Sequence, residues 1–302
     1  MIKHFYFTIS TLIFVLFAGR AFAQTASVDT LGDLKQLKKA SFKLGLNYLN
    51  NSVYLGRADT AKTPVIEPNL KYTFSSGIYF SGNIQIIPNR VDNKLDGGSL
   101  SAGYDYEIGE NASGSISFSK VFYNATSTQI GSSIGSTFNA NIDYDIADII
   151  TPSLSIDYNL LKQGFGSDVL LNLGLSHDFA KEGIFGNDDL GIFSPTVTAN
   201  MGTQNFYDAF LTLKKYKLTK AGKAKQAAVQ KLLAAQDAKL ARFEFLDFEL
   251  AAPLEYKTGP VLFSFTPTYA SAQNKLPASI SKGIVSTTGG IFFFEIGASV
   301  KF

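Results

Sequence analysis

The chain has no cysteine and no tryptophan, and only two histidines and two methionines in 302 residues. Without cysteine there is no disulfide, no thiolate metal centre, no cysteine nucleophile and no lipid-bearing N-terminal cysteine. Charge is scarce too: Asp, Glu, Lys and Arg make up 17% of the chain, and the net charge is +2. No Lys/Arg block of the nucleic-acid-binding kind interrupts the strand-like segments, so nucleic acid is not an expected partner. Beyond the N-terminus no stretch approaches the roughly 18 uninterrupted apolar residues of a spanning helix. HExxH, GxSxG and phosphate-loop patterns are all missing. Past the leader a single histidine, His177, remains for any Ser–His or acid–His chemistry. No enzyme activity, metal or cofactor is expected.

Aromatic residues and glycine are plentiful, with 26 Phe, 14 Tyr and 26 Gly. Phe and Tyr favour strands. The first residues have the layout of an export signal: a short basic start ("MIK"), an apolar run ("HFYFTISTLIFVLFA") and small residues at Ala21 and Ala23. Cleavage is expected between Ala23 and Gln24, which makes 1–23 a signal peptide. A polar segment, 24–40, follows.

From Ser41 onward the apolar period is two rather than 3.6. Phe42, Leu44, Leu46 and Tyr48 alternate with Ser41, Lys43, Gly45 and Asn47. Eleven further segments repeat the pattern up to the last residue, which gives twelve strands. Connections alternate as well. Tight ones such as "SSG", "GENAS" and "YKTGP" follow the even strands. Mostly long ones, near 53–64, 88–97, 124–134, 203–242 and 271–288, follow the odd strands. Pro68, Pro195, Pro253 and Pro267 fall inside the strands and are each expected at a bulge or a strand end.

Alternation alone does not say which face points outward. The polar face is rich in Ser, Gly, Asn and Thr and poor in Lys, unlike a solvated surface. The apolar face carries one charge, Lys120. Tyr48, Tyr72, Tyr106, Tyr144, Tyr256 and Tyr269 stand near strand ends, as in a membrane aromatic girdle. The even strand count, with short turns at one end and loops at the other, completes the pattern of an all-β, transmembrane antiparallel up-and-down barrel with its apolar face in lipid.

The chain ends "IFFFEIGASVKF". Phe292, Phe294, Ile296, Val300 and Phe302 share one face, and the last residue is aromatic. In this ending, the leader and the alternation over 41–302, the sequence resembles outer-membrane β-barrel proteins of Gram-negative bacteria. The resemblance implies that both termini are periplasmic, 24–40 included. It implies that the last strand closes the barrel against the first, near Phe42–Tyr48. It also implies that the barrel assembly machinery reads that strand during insertion, and that outer-membrane lipid and lipopolysaccharide surround the barrel.

Twelve strands enclose a lumen between the side-chain-filled interior of about eight strands and the aqueous channel of about 16. The inward register carries Glu67, Asp105, Glu107, Asp143, Asp145, Asp157, Asp178, Asp247, Glu249, Glu255 and Glu295, against the basic residues Lys43, Lys71 and Lys301. A carboxylate-lined pore favours cations. A passive channel for small solutes or ions is therefore expected; a scaffold, an adhesin or a subunit of an envelope complex without a conducting pore is the alternative. The loop 203–242 stands apart. It favours helix, and from Lys214 to Arg242 it has nine basic residues and one acid, Asp237. Val229, Leu232, Leu233 and Leu240 fall on one stripe, so an extracellular helix is expected, free to fold into the mouth or to meet an envelope protein partner.

Overall fold

The structure, a computed structural model, describes residues 39–60, 62–162, 166–186, 188–210, 240–275, 285–286 and 289–302. The leader with its Ala23/Gln24 junction, the segment up to 38 and the basic stretch 211–239 fall outside the described residues.

In chain order the elements are β1 (Ser41–Leu49), β2 (Val53–Tyr54), β3 (Arg57–Asp59), β4 (Val65–Thr73), β5 (Ile78–Ile86), β6 (Leu95–Ile108), β7 (Ala112–Tyr123), β8 (Ile134–Tyr144), β9 (Thr151–Leu161) and β10 (Ser167–Ser176). There follow β11 (Phe179–Glu182), β12 (Asp189–Phe193), β13 (Thr196–Gly202), the short helix α1 (Asn205–Phe210), β14 (Glu244–Ala251), β15 (Leu254–Thr258), β16 (Val261–Ala272), β17 (Val285–Ser286) and β18 (Ile291–Lys301). The pieces β2, β3 and β17 form a small sheet of their own. The other fifteen form one antiparallel sheet. Three wall strands are each split into two pieces that keep one register: β10 with β11, β12 with β13, and β14 with β15. The wall therefore has the twelve strands expected.

Closure is by the last strand. β18 pairs with β1 from Lys43↔Lys301 to Leu49↔Glu295. Phe302 and Phe42 then exchange two backbone hydrogen bonds, of 2.8 and 3.0 Å. A barrel in lipid cannot leave its first and last strands with open edges, and this pairing joins them.

Two of the four prolines obey the expectation and two correct it. Pro195 and Pro253 lie in the gaps between β12 and β13 and between β14 and β15, at strand ends. Pro68 and Pro267 sit inside strands that run without a bulge. Pro68 pairs with Leu46 on one side, while the ladder to β5 skips from Ile66↔Ile86 to Asn69↔Asn83 in unchanged register. Pro267 pairs with Phe294 and accepts a hydrogen bond from the Ala252 amide through its carbonyl. A strand residue turns its N–H and C=O toward the same neighbour, so each proline loses one rung there and no more.

The apolar face is outward. Leu46 is 52% exposed, Phe80 54% and Leu100 64%. The residues that alternate with them, such as Asn69, Ser81, Asn83, Asn139 and Asn141, are buried. Lys120 is exposed on the outer face and donates to the Ser136 hydroxyl at 3.3 Å. Tyr72, Tyr144 and Tyr269 stand outward near strand ends.

Candidate functional site: the lumen and its mouth

Strand pairing brings most of the predicted lumen residues onto one inner wall, where they bond to one another. Lys71 donates to Asp105 at 2.7 Å, both buried, and its ammonium lies 3.8 Å from the centre of the Tyr79 ring. Gly103, opposite Tyr79, leaves room for that ring: a methyl group there would come within 2.5 Å of it. Glu67 accepts from Gln85 at 3.1 Å. Asp157 accepts from Asn139 at 2.7 Å and from Asn172 at 3.2 Å. Asp247, Glu249 and Glu255 are buried as well.

Of the remaining predicted acids, Glu295 stands toward the loop end, opposite Leu49, and the others at the short-turn end. Glu107 is exposed, while Asp143, Asp178 and Glu295 are half-buried. Asp145 lies just past β8, where its carboxylate accepts from the Asp148 amide at 3.0 Å and caps the turn. His177 sits in the gap between β10 and β11. Its Nδ1 lies 2.5 Å from the Ile149 carbonyl oxygen and its ring meets Phe179 edge-on.

The loop end differs. Loop residues fold into the mouth and form an apolar cluster of Tyr54, Leu55, Ile130, Phe206, Tyr207, Phe210 and Leu240, all at most 3% exposed. Inward residues of the wall at this level are apolar to match: Ile134, Leu161, Leu170 and Leu246. The aromatic core is tight, with Tyr54 edge-on to Phe206 at 4.8 Å and Phe206 stacked on Tyr207 at 5.3 Å. Burial pushes the Tyr207 hydroxyl up to about 12, so it stays protonated at any physiological pH.

Buried ionic groups tie the cluster to the wall. Asp168, at the start of β10, accepts from the Asn205 and Phe206 amides at 2.7 and 2.8 Å and from the Thr203 hydroxyl at 2.6 Å. It thereby satisfies the first free N–H groups of α1. Asp96, at the start of β6, gathers Arg90, Ser127 and Gln129 at 2.6–2.7 Å. Arg57, fully buried, donates to the Leu55 carbonyl, to Gln204 at 2.9 Å and to the Asn274 carbonyl at 2.5 Å. Its guanidinium lies 5.4 Å from the centre of the Tyr207 ring.

The plug reaches both sides of the barrel. Gln129 donates to Gln85 on β5 at 2.9 Å and accepts from Ser52 at 3.1 Å. Ser52 leads into the hairpin β2–β3. Its two-residue turn, Leu55–Gly56, has positive φ at both positions (49° and 69°), the pattern of a type I′ turn. A methyl group on Gly56 would lie 2.6 Å from the Ala272 amide nitrogen and 3.1 Å from Cβ of Asp247. That places the turn against β14 and β16, across the ring from β5 and β6.

A closed sheet, an apolar outer face and a polar lumen are now established. The architecture is that of a closed, twelve-stranded transmembrane antiparallel β-barrel. No family model matches the chain, and no curated protein does. Among solved structures it is similar to the KdgM porin, at 9% identity and a TM-score of 0.46 over 87% of this chain and 99% of that one. The NanC porin is similar at 12% identity and a TM-score of 0.43, over 86% of this chain and 100% of that one. LpxR from Salmonella typhimurium is similar at 9% and 0.43, over 85% and 99%. Identities this low carry no substrate from one barrel to another.

Sequence reasoning missed the hubs at Arg57, Asp96 and Asp168. Each is a charged residue at the loop end of an apolar alternation, a signal present in the sequence but shared with any solvated loop. Strict alternation from the inward Asp247 and Glu249 puts Leu246 on the outer face. A register shift at Asn200/Met201 adds one residue to β14, and Leu246 and Asp247 both turn inward. Bulges re-aim side chains in this way.

Proposed function

We propose that this chain is an outer-membrane channel that its own loops hold shut, passing small solutes or ions, cations by preference, when the plug shifts. The observation that carries the reading is the division of the lumen. Its wall below the mouth is polar and acid-rich, which serves no purpose in a solid core, and an interlocked apolar plug covers it. Lipid and lipopolysaccharide cover the outer belt, and the assembly machinery takes up the Phe292–Phe302 face during insertion. The basic stretch inside 203–242, anchored at Phe210 and Leu240, is the natural place for an envelope partner to pull on the plug. No catalytic role is proposed: His177 is bound to a turn carbonyl at the rim.

The second reading is a structural barrel without a pore. Its support is the bonding of lumen side chains to each other, as at Lys71–Asp105 and Asn139–Asp157. Planar-bilayer conductance across a salt gradient separates the two. The wild-type chain should show rare openings. Asp168→Asn, which loosens α1 from the wall, should open often and with a cation-selective reversal potential. A folded Asp168→Asn barrel that stays silent would leave the structural reading in place.

A further inference from the structure

Beneath the plug one patch of wall has polar groups with no partners. Asn200 on β13 faces Asp247 on β14 as a direct cross-strand pair. Glu249 lies two residues further along the same face, and Thr268 stands on β16, the next strand round. All four are at most 3% exposed. Both carboxylate oxygens of Asp247, one of Glu249, both amide atoms of Asn200 and the Thr268 hydroxyl have no hydrogen-bond partner. Elsewhere on the wall, buried acids have taken partners, as Asp157 and Glu67 do.

Two buried carboxylates side by side repel each other and lose hydration, so they call for a positive charge. Arg57 is the obvious source, because it follows the Gly56 turn that lies against Asp247. Its terminal nitrogens are bound to Leu55, Gln204 and Asn274 instead, and no ion pair joins it to either acid. Directly paired residues stand about 5 Å apart at Cβ, and residues two apart on a strand about 7 Å. The side chains of Asn200, Asp247 and Glu249 can therefore converge on one point, whereas Thr268, at the level of Ala251, lies two residues beyond Glu249 and outside their reach. Small neighbours leave space for the convergence, because Ala270 and Ala272 are the residues opposite Glu249 and Asp247.

We propose that Asp247, Glu249 and Asn200 form a binding site for a hard divalent cation, Ca²⁺ or Mg²⁺, on the inner wall under the plug. Every donor is oxygen: two carboxylates and one amide carbonyl, with water to complete the shell. That set suits calcium and magnesium and disfavours the softer transition metals. Calcium fits better, because it tolerates irregular geometry and a mixed shell completed by water. Asn200 is the independent sign of a ligand. It is fully buried opposite a carboxylate, and neither of its amide atoms has a partner at hydrogen-bond geometry. Once the cation is bound, the Gly56 turn rests on an occupied wall, which ties the ion to the plug.

The test is calorimetric titration of the refolded chain, in a non-ionic detergent free of anionic headgroups, with CaCl₂ and then MgCl₂. One equivalent of Ca²⁺ should bind and raise the unfolding temperature. Asp247→Asn/Glu249→Gln should abolish both effects and unfold at a higher temperature than the metal-free wild type, because it relieves the buried repulsion. Glu107→Gln, an exposed acid at the rim, should bind as the wild type does. Should the double variant fail to fold, Asp247→Asn alone is titrated with Tb³⁺, reading tyrosine-sensitised luminescence; loss of signal relative to wild type supports the site. A folded wild type that binds no divalent ion, or equal binding by wild type and double variant, overturns the proposal. In the first case the two acids share a proton instead.

Discussion

Phe206→Ala tests whether the plug is a separate unit that can leave the mouth. Phe206 is fully buried, edge-on to Tyr54 and stacked on Tyr207. Truncating such a side chain costs about 3–5 kcal/mol when the surroundings relax only in part. Little of that cost should fall on the wall, whose strands are held by ladders that Phe206 does not join. It should fall on docking of the plug. At about 1.4 kcal/mol per decade, the undocked fraction rises roughly 10²- to 10³-fold. Hydrogen exchange reads this directly. The Thr203 amide donates to Val169, Gln204 to Leu240 and Tyr207 to Gln204, while the Asn205 and Phe206 amides donate to Asp168. These amides should lose about two to three decades of protection, and those of β6 and β7 should keep theirs. Unchanged protection at 203–207 would show that the cluster does not hold the plug. Uniform loss over plug and wall would show that plug and barrel open as one body. Either result refutes the reasoning.

Other perturbations address the wall. Lys71→Met strands Asp105 as an unpaired buried charge and should cost about 3–5 kcal/mol, whereas Lys71→Met/Asp105→Leu should regain most of it; urea unfolding from lipid vesicles compares them. Gly103→Ala places a methyl 2.5 Å from the Tyr79 ring and 2.7 Å from the Ile116 carbonyl oxygen. It should displace the ring from Lys71 and lower the unfolding midpoint, while alanine at the turn position Gly109, with no atom within 4 Å, should act only through its backbone φ of +68°. Deleting Phe302 removes the two hydrogen bonds to Phe42. Spontaneous refolding into vesicles should slow modestly and insertion in cells should fall sharply; equal effects in both would remove the assembly-signal role.

What the sequence disclosed depends on the range of the forces involved. The wall was legible because every strand is solved by the same local rule: apolar residues meet lipid, polar ones meet the lumen, and the period is two. Leu44, Leu70 and Phe80 obey it without reference to any partner, and the strand count follows; the closure by Phe302 was implied by the resemblance of the last strand. The plug was not legible. Its residues come from loops distant in sequence, as Ser52, Gln129, Arg57 and Gln204 do. The hydrogen bonds between them carry no periodicity. The same limit explains Leu246 and Asp247. Alternation assigns them to opposite faces, and only an inserted residue in β14, paired against an uninterrupted β13, turns both inward. That break in the rule sends Leu246 to the plug while Asp247 keeps its inward place beside it. One of the places where the sequence rule fails is thus a place where wall, plug and proposed cation site meet, as expected where function overrides regular packing.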